Sequence, residues 1–187
     1  MWKLKTELLD PSRIEEVGKK ALAFKDSGFH CSESIIRAVW PYVIPDRKLS
    51  DDVLRVTMPF RGGMAATTSS HCGGLTMGIA VSGALYGRLE AHGDYKLAPS
   101  IARKYWSLFL QEFSTSNCTL LRRGNPGPEA PTICGCIIAR SARLMLSYFD
   151  ALKADFPPME EIYSWVIDRS QEECHERVVP LKMNDEE

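Results

Sequence analysis

Apolar residues recur every three or four positions along most of this chain, and nowhere do they alternate with polar ones as a half-buried strand requires. Ile14, Val17, Ala21 and Phe24 share a helical face behind Asp10-Pro11, an N-cap with proline at the first helical position, and Gly28 closes that element. Ile35, Ile36 and Val39 mark a second helix over 31–40, which Pro41 ends or kinks. Ser50-Asp51-Asp52 opens a short third helix through Met58, stopped by Pro59. A fourth helix spans 72–88. A fifth begins at Asp94 or Pro99 and runs to Phe113, with Ile101, Tyr105, Leu108 and Phe109 inward; an early start places Pro99 inside it and should bend it. Asn117 caps a short helix at Cys118. Thr132 caps a long one from Ile133 to Lys153, with Ile137, Ile138, Leu144, Met145, Tyr148 and Leu152 inward, and Pro157-Pro158 opens a last helix through Trp165. PFRGGMAATTSS (59–70) reads as a small, polar, flexible loop and GNPGPEAP (124–131) as another. The pattern predicts an all-α fold, a compact helical bundle of about seven or eight helices. It forms a single domain over 1–187 without internal repeats, and a charged tail over about 170–187 is expected to fray.

Composition narrows the function classes. The chain has 187 residues and a formal net charge of -1. That length supports a self-sufficient core. That charge provides no basic face for nucleic acid, and pairs such as Lys19-Lys20 and Arg122-Arg123 read as solvated surface. No run of about 18 apolar residues exists, so no membrane span is predicted, and the amino-terminal stretch lacks the apolar core of a secretory signal. The expected location is the cytoplasm.

The chemistry then rests on six cysteines, Cys31, Cys72, Cys118, Cys134, Cys136 and Cys174. In a reducing compartment such thiols are buried hydrophobes, metal ligands or redox centres rather than structural disulfides. Cys31, Cys72, Cys118 and Cys134 each fall at or near a predicted helix start, with Ser69 or Ser70, Asn117 and Thr132 as caps ahead of three of them. Unpaired N–H groups and partial positive charge at a helix start lower a thiol's pKa and suit an anionic cluster. Cys72 opens HCGGLTMG, in which Gly73 and Gly74 let N–H groups or a second helix crowd the sulfur. Gly74, Gly78 and Ser82 lie four apart, as do Gly83 and Gly87, a small-residue stripe that admits another backbone or a bulky prosthetic group, or offers a homodimer face. Cys134-Gly135-Cys136 is too short for an easy structural disulfide. Of this pair Cys134 stands nearer the helix start and is the preferred site residue, with Cys136 as its substitute. His71 and His30 adjoin Cys72 and Cys31 as candidate ligands or proton carriers, against the plainer reading of exposed loop histidines. Cys174 looks like a leftover thiol on a solvated tail. The chain has no CxxC pair, CxxCH haem motif, Walker loop or HExxH motif.

The order of these cysteines resembles the redox-active proteins named for the pattern C_GCAxxG_C_C. GFHCSESIIRAVW supplies the first block, HCGGLTMGIAVSGALYGR the glycine-rich centre, FLQEFSTSNCTLL the third and CGCIIARSARLM the fourth, over about residues 15–150. The family is common in anaerobic bacteria and archaea. A similar domain precedes the haem-binding part of split-Soret-type cytochromes, where an iron–sulfur centre is associated with it; the haem motifs are missing here. The resemblance implies that Cys31, Cys72, Cys118 and Cys134 or Cys136 hold one small iron–sulfur cluster for electron transfer or redox sensing with an unidentified partner protein. Two alternatives stay open. One is a metal-free thiol–disulfide oxidoreductase in which the same thiols are catalytic. The other is a structural zinc site, or a helical interaction module with inert cysteines.

Overall fold

The computed structural model describes residues 9–123 and 132–165. Eight α-helices carry these residues: α1 (Pro11–Asp26), α2 (Cys31–Val43), α3 (Asp51–Thr57), α4 (Gly73–Tyr86), α5 (Leu97–Phe113), α6 (Cys118–Leu121), α7 (Ile133–Ala154) and α8 (Met159–Tyr163). A 3-10 turn, Met58–Phe60, follows α3. Among the described residues there is no strand, and one isolated antiparallel bridge pairs His71 with Asn117. The all-α expectation holds. No helix of the described residues is long and apolar enough to cross a membrane. The loop expected at 124–131 and the charged tail lie outside the described residues.

Helix starts follow local side-chain chemistry. Asp10 accepts from the Ser12 N–H, Ser50 from Val53, Asn117 from Leu120 and Thr132 from Gly135. Each bond satisfies an N–H that the first helical turn leaves open. Three boundaries depart from expectation. Pro41 lies inside α2, which continues to Val43, because burial of Trp40, Val43 and Ile44 outweighs the single hydrogen bond proline removes. Pro99 is the third residue of α5, where an N–H has no helical partner to lose, so no bend is required. Helix α4 takes Cys72 itself as N-cap rather than Ser69 or Ser70.

The axis of the bundle is α7, which packs on α1, α2, α4 and α5. Leu146 and Phe149 are fully buried beside the expected Met145 and Tyr148, while Leu144 is only partly buried. A helix enclosed by four neighbours buries more than one stripe. Helix α1 lies along it, tied by Arg143–Glu15 at 3.1 Å and Arg13–Asp150 at 3.2 Å.

Gly74 and Gly78 of α4 are consumed by packing inside the chain. A Cβ added at Gly74 would fall 2.2 Å from Ser141 Oγ of α7, and one at Gly78 would fall 1.9 Å from Cε1 of Tyr105 on α5. Gly83 faces open space, and Gly87 lies beyond the end of α4.

Candidate functional site

Two short segments running antiparallel bring Cys72 and Cys118 together. Cys72 N–H donates to Ser116 O at 2.8 Å, Cys118 N–H to Ser70 O at 2.9 Å, and Thr119 N–H to Thr68 O at 2.9 Å. The Asn117 side chain adds a bond to Ser69 O at 2.8 Å. Cys31, the first residue of α2, reaches the same place from another direction. Its Sγ fills the space beside Gly73, where an added Cβ would sit 2.6 Å from it. Cys134, in the first turn of α7, completes the set. The sulfur-bearing residues Cys31, Cys72, Cys118 and Cys134 all line one cavity of about 470 Å³. Each stands at the start of a different helix, as the sequence suggests.

Burial and charge set the electrostatics. Cys72 and Cys118 are 6% and 7% exposed, whereas Cys31 and Cys134 are half-buried. Lys25, Arg61, Arg122 and His30 line the cavity with them, and no Asp or Glu does among the described residues. Apolar side chains, Phe29, Ile35 and Ile137 among them, form much of the remaining wall. Burial pushes the Cys72 thiol up to about 12, opposed by the Gly74 N–H donated to its Sγ at 3.5 Å and reinforced by the neighbouring thiolates. Burial also raises Cys118 and Cys134, with Arg122 pulling both the other way. The expectation that helix starts depress these thiols is therefore corrected for three of them. A single N–H and a partial helix charge are weaker than withdrawal from water into an apolar wall, and nearby thiolates repel a further charge.

A consequence can be measured. In metal-free protein, Cys72 should alkylate slowly at neutral pH, with a rate that rises about tenfold per pH unit towards 12. The same shift makes the metal-free fold labile to alkali. The unfolded chain releases this proton near 9.0 and the folded chain holds it to about 12, so the stabilisation is complete below 9 and is lost as pH rises through that window. Tyr105 and Tyr148, also raised by burial, act in the same direction. Mass-resolved alkylation across pH checks the first statement; rapid labelling of Cys72 at pH 7 in folded protein contradicts it.

One part of the cavity wall has almost no signature in the sequence. The segment expected to be a flexible loop is a left-handed turn, with φ of 55° at Gly62, 68° at Gly63, 61° at Met64, 49° at Ala65, 59° at Ala66 and 60° at Thr68. Each non-glycine residue there costs about 1–2 kcal/mol. The turn is held by Ala65 N–H to Pro59 O, Thr68 N–H to Gly62 O, and the Thr119 hydroxyl to Thr68 O. It places Arg61, Gly62, Ala66 and Thr68 on the cavity and packs Gly63 against Cys118, where an added Cβ would meet Cys118 Cβ at 2.8 Å. Gly62-Gly63 was the only sequence signal for it. Arg122, read as solvated surface, is exposed and also lines the cavity.

The other candidates lie elsewhere. Cys136, two residues beyond Cys134 on α7, is buried and does not line the cavity. Gly73 and Gly74 are buried behind the sulfurs, Gly73 against Cys31 and Gly74 against Ser141, and do not line it either. His71 points away, its Nδ1 3.0 Å from Ser116 Oγ and its ring edge-on to Trp106 at 4.8 Å. His30 lines the cavity with Nε2 3.0 Å from the Arg61 guanidinium. Cys174 lies outside the described residues. No disulfide joins the described cysteines, and no three His, Cys, Asp or Glu side chains among the described residues are grouped to hold a metal ion.

A family model described as "Putative redox-active protein (C_GCAxxG_C_C)" matches residues 29–148 of the chain. No curated protein and no solved structure matches it.

Proposed function

Since the chain belongs to the C_GCAxxG_C_C family of redox-active proteins, we propose that it is an electron-transfer or redox-sensing protein whose Cys31, Cys72, Cys118 and Cys134 hold a small iron–sulfur cluster. The observation that carries this reading is the convergence of those thiols, from four separate helix starts, on one cavity with three Lys or Arg side chains and no described carboxylate. Four thiolates are the usual donor set for such a cluster, and the donor chemistry here fits it. When bound, the cluster supplies one-electron chemistry. The chain's own residues supply the rest. Lys25, Arg61 and Arg122 offset the negative charge of four thiolates, the Gly74 N–H donates to the Cys72 sulfur, and the apolar wall keeps water away; these are the levers that set a potential.

One observation weighs against the metal-free alternative. Raised pKa values at Cys72, Cys118 and Cys134 leave little thiolate at neutral pH, which makes them poor attackers in metal-free disulfide exchange.

Protein purified without oxygen should contain iron and acid-labile sulfide and show a visible charge-transfer band. Serine at Cys31, Cys72, Cys118 or Cys134 should remove most of the iron, and Cys136→Ser should keep it. A colourless product after anaerobic reconstitution with ferrous iron and sulfide would end the cluster reading.

A further inference from the structure

We propose that the mouth of the cysteine cavity receives the acidic surface of a partner protein that is a one-electron carrier. The proposal rests on the electron-transfer reading above and adds the chemistry of the partner. Lys25 comes from α1, Arg61 from the left-handed turn and Arg122 from the end of α6, so three separate chain segments each deliver one cation to the same rim. The whole chain carries a net charge of -1, so this excess is local rather than the mark of a basic protein.

Several cations elsewhere have acidic partners, among them Arg13 with Asp150, Lys20 with Glu16, Arg140 with Glu112 and Arg143 with Glu15. At the rim, Arg61 lies 3.0 Å from His30 Nε2, and among the described residues Lys25 has only the exposed Asp26 at 3.9 Å and Arg122 forms no ion pair. The adjoining segment 124–131 contributes a single carboxylate to the sequence, Glu129, which alone does not reverse three cations. A cleft lined by one sign of charge with apolar walls focuses its field outward and selects reactants of the opposite sign.

The burial pattern favours a protein surface over a small molecule. Cys72 and Cys118 are almost sealed, so a reactant that must touch sulfur is poorly served, while an electron needs no contact. One electron would leave the reduced carrier, which is oxidised by one, for the cluster that Cys31, Cys72, Cys118 and Cys134 would hold, which is reduced by one; no bond forms or breaks. Carboxylates on the partner meet the three rim cations and set the encounter rate.

The test uses the full chain in metal-free, reduced form, so that it does not depend on the cluster. Thiols are reacted with a dianionic disulfide, 5,5′-dithiobis(2-nitrobenzoate), and with the dicationic disulfide cystamine. In each case a cysteine thiolate attacks, the reagent's S–S bond breaks, a mixed disulfide forms and the second half leaves as its thiolate. Lys25→Glu with Arg122→Glu should lower the anionic-to-cationic rate ratio by about tenfold or more, and Arg55→Glu, on the exposed face of α3, should leave it unchanged. Poly-L-glutamate should protect the cavity thiols from both reagents, and protection should vanish in about 0.5 M sodium chloride, where the screening length is roughly 4 Å. A ratio indifferent to the double reversal in a protein that still melts cooperatively overturns the proposal. So does a charge-sensitive ratio without polyglutamate protection, which assigns the rim to a small anion. An iron-bearing protein with no charge effect sinks this inference alone; an iron-free protein with a full charge effect sinks the cluster reading and the one-electron carrier with it, leaving an acidic partner of another chemistry.

Discussion

Gly78→Ala is expected to destabilise the fold by about 3 kcal/mol, the upper part of the usual range for overpacking. For a chain of this size that lowers Tm by about 6–12 °C. The new methyl group would fall 1.9, 2.3 and 2.4 Å from three atoms of the Tyr105 ring. That ring cannot retreat. Its hydroxyl donates to Gly74 O at 3.0 Å, and Tyr148, Phe149 and Phe109 surround it. Helix α4 would have to back away from α5, and with it the Cys72 cap. Gly83→Ala supplies the control within the same helix. Its methyl meets nothing within 4 Å, so it should stabilise the protein by about 0.5–1 kcal/mol through helix propensity alone. Opposite signs for one substitution at two glycines of α4 separate packing from propensity. Tyr105→Leu placed in the Gly78→Ala background should recover part of the loss, read as a coupling energy in a double-mutant cycle. Melting of Gly78→Ala within a degree of the parent would show that α4 and α5 do not approach through this glycine.

Several elements of this architecture were legible because their causes are local. Asp10, Ser50, Asn117 and Thr132 each cap the helix they precede through a bond spanning two or three residues. The helical-start setting of Cys31, Cys72, Cys118 and Cys134 was legible for the same reason. What the chain order could not reveal depends on tertiary neighbours. Lys25, Arg61 and Arg122 have nothing in common in sequence and share a rim only after α1, the left-handed turn and α6 are packed. The direction of the thiol shifts was misread because helix-start chemistry is local while desolvation is decided by Ile35, Ile137 and other residues far along the chain. Met64, Ala65 and Ala66 have no propensity for left-handed backbone; the turn around them follows from its bonds to α6 and from Gly63 packing on Cys118. Sequence prefers Cys134 over Cys136 without excluding the second, because the face of a helix that meets a cavity is set by its neighbours. In the folded chain Cys134 lines the cavity and Cys136 does not.

Gly73→Ala is expected to remove most of the iron from anaerobically prepared protein while leaving the fold nearly as stable as the parent, within about 1 kcal/mol. The substitution differs from Gly78→Ala in what the new methyl meets. Its nearest neighbour is Cys31 Sγ at 2.6 Å, the mobile end of a short side chain on a half-buried residue, followed by Ser32 N at 3.0 Å. The sulfur can rotate about its Cα–Cβ bond to another staggered position at small cost, and α2 need move only slightly. That rotation takes the thiol away from the place it shares with Cys72, so the damage falls on the donor set rather than on the core. The expected signature is a protein with a near-parental melting curve and with iron, sulfide and visible absorption as low as in Cys31→Ser. Gly73→Ser, which adds the same Cβ, should behave alike. Full iron content in Gly73→Ala would mean that the Cys31 sulfur is not required where α2 now places it, and would remove Cys31 from the proposed ligands. Loss of iron together with a collapse in Tm would instead show that the methyl displaces the α2 backbone at Ser32, and that Gly73 serves packing first and the sulfur only through it.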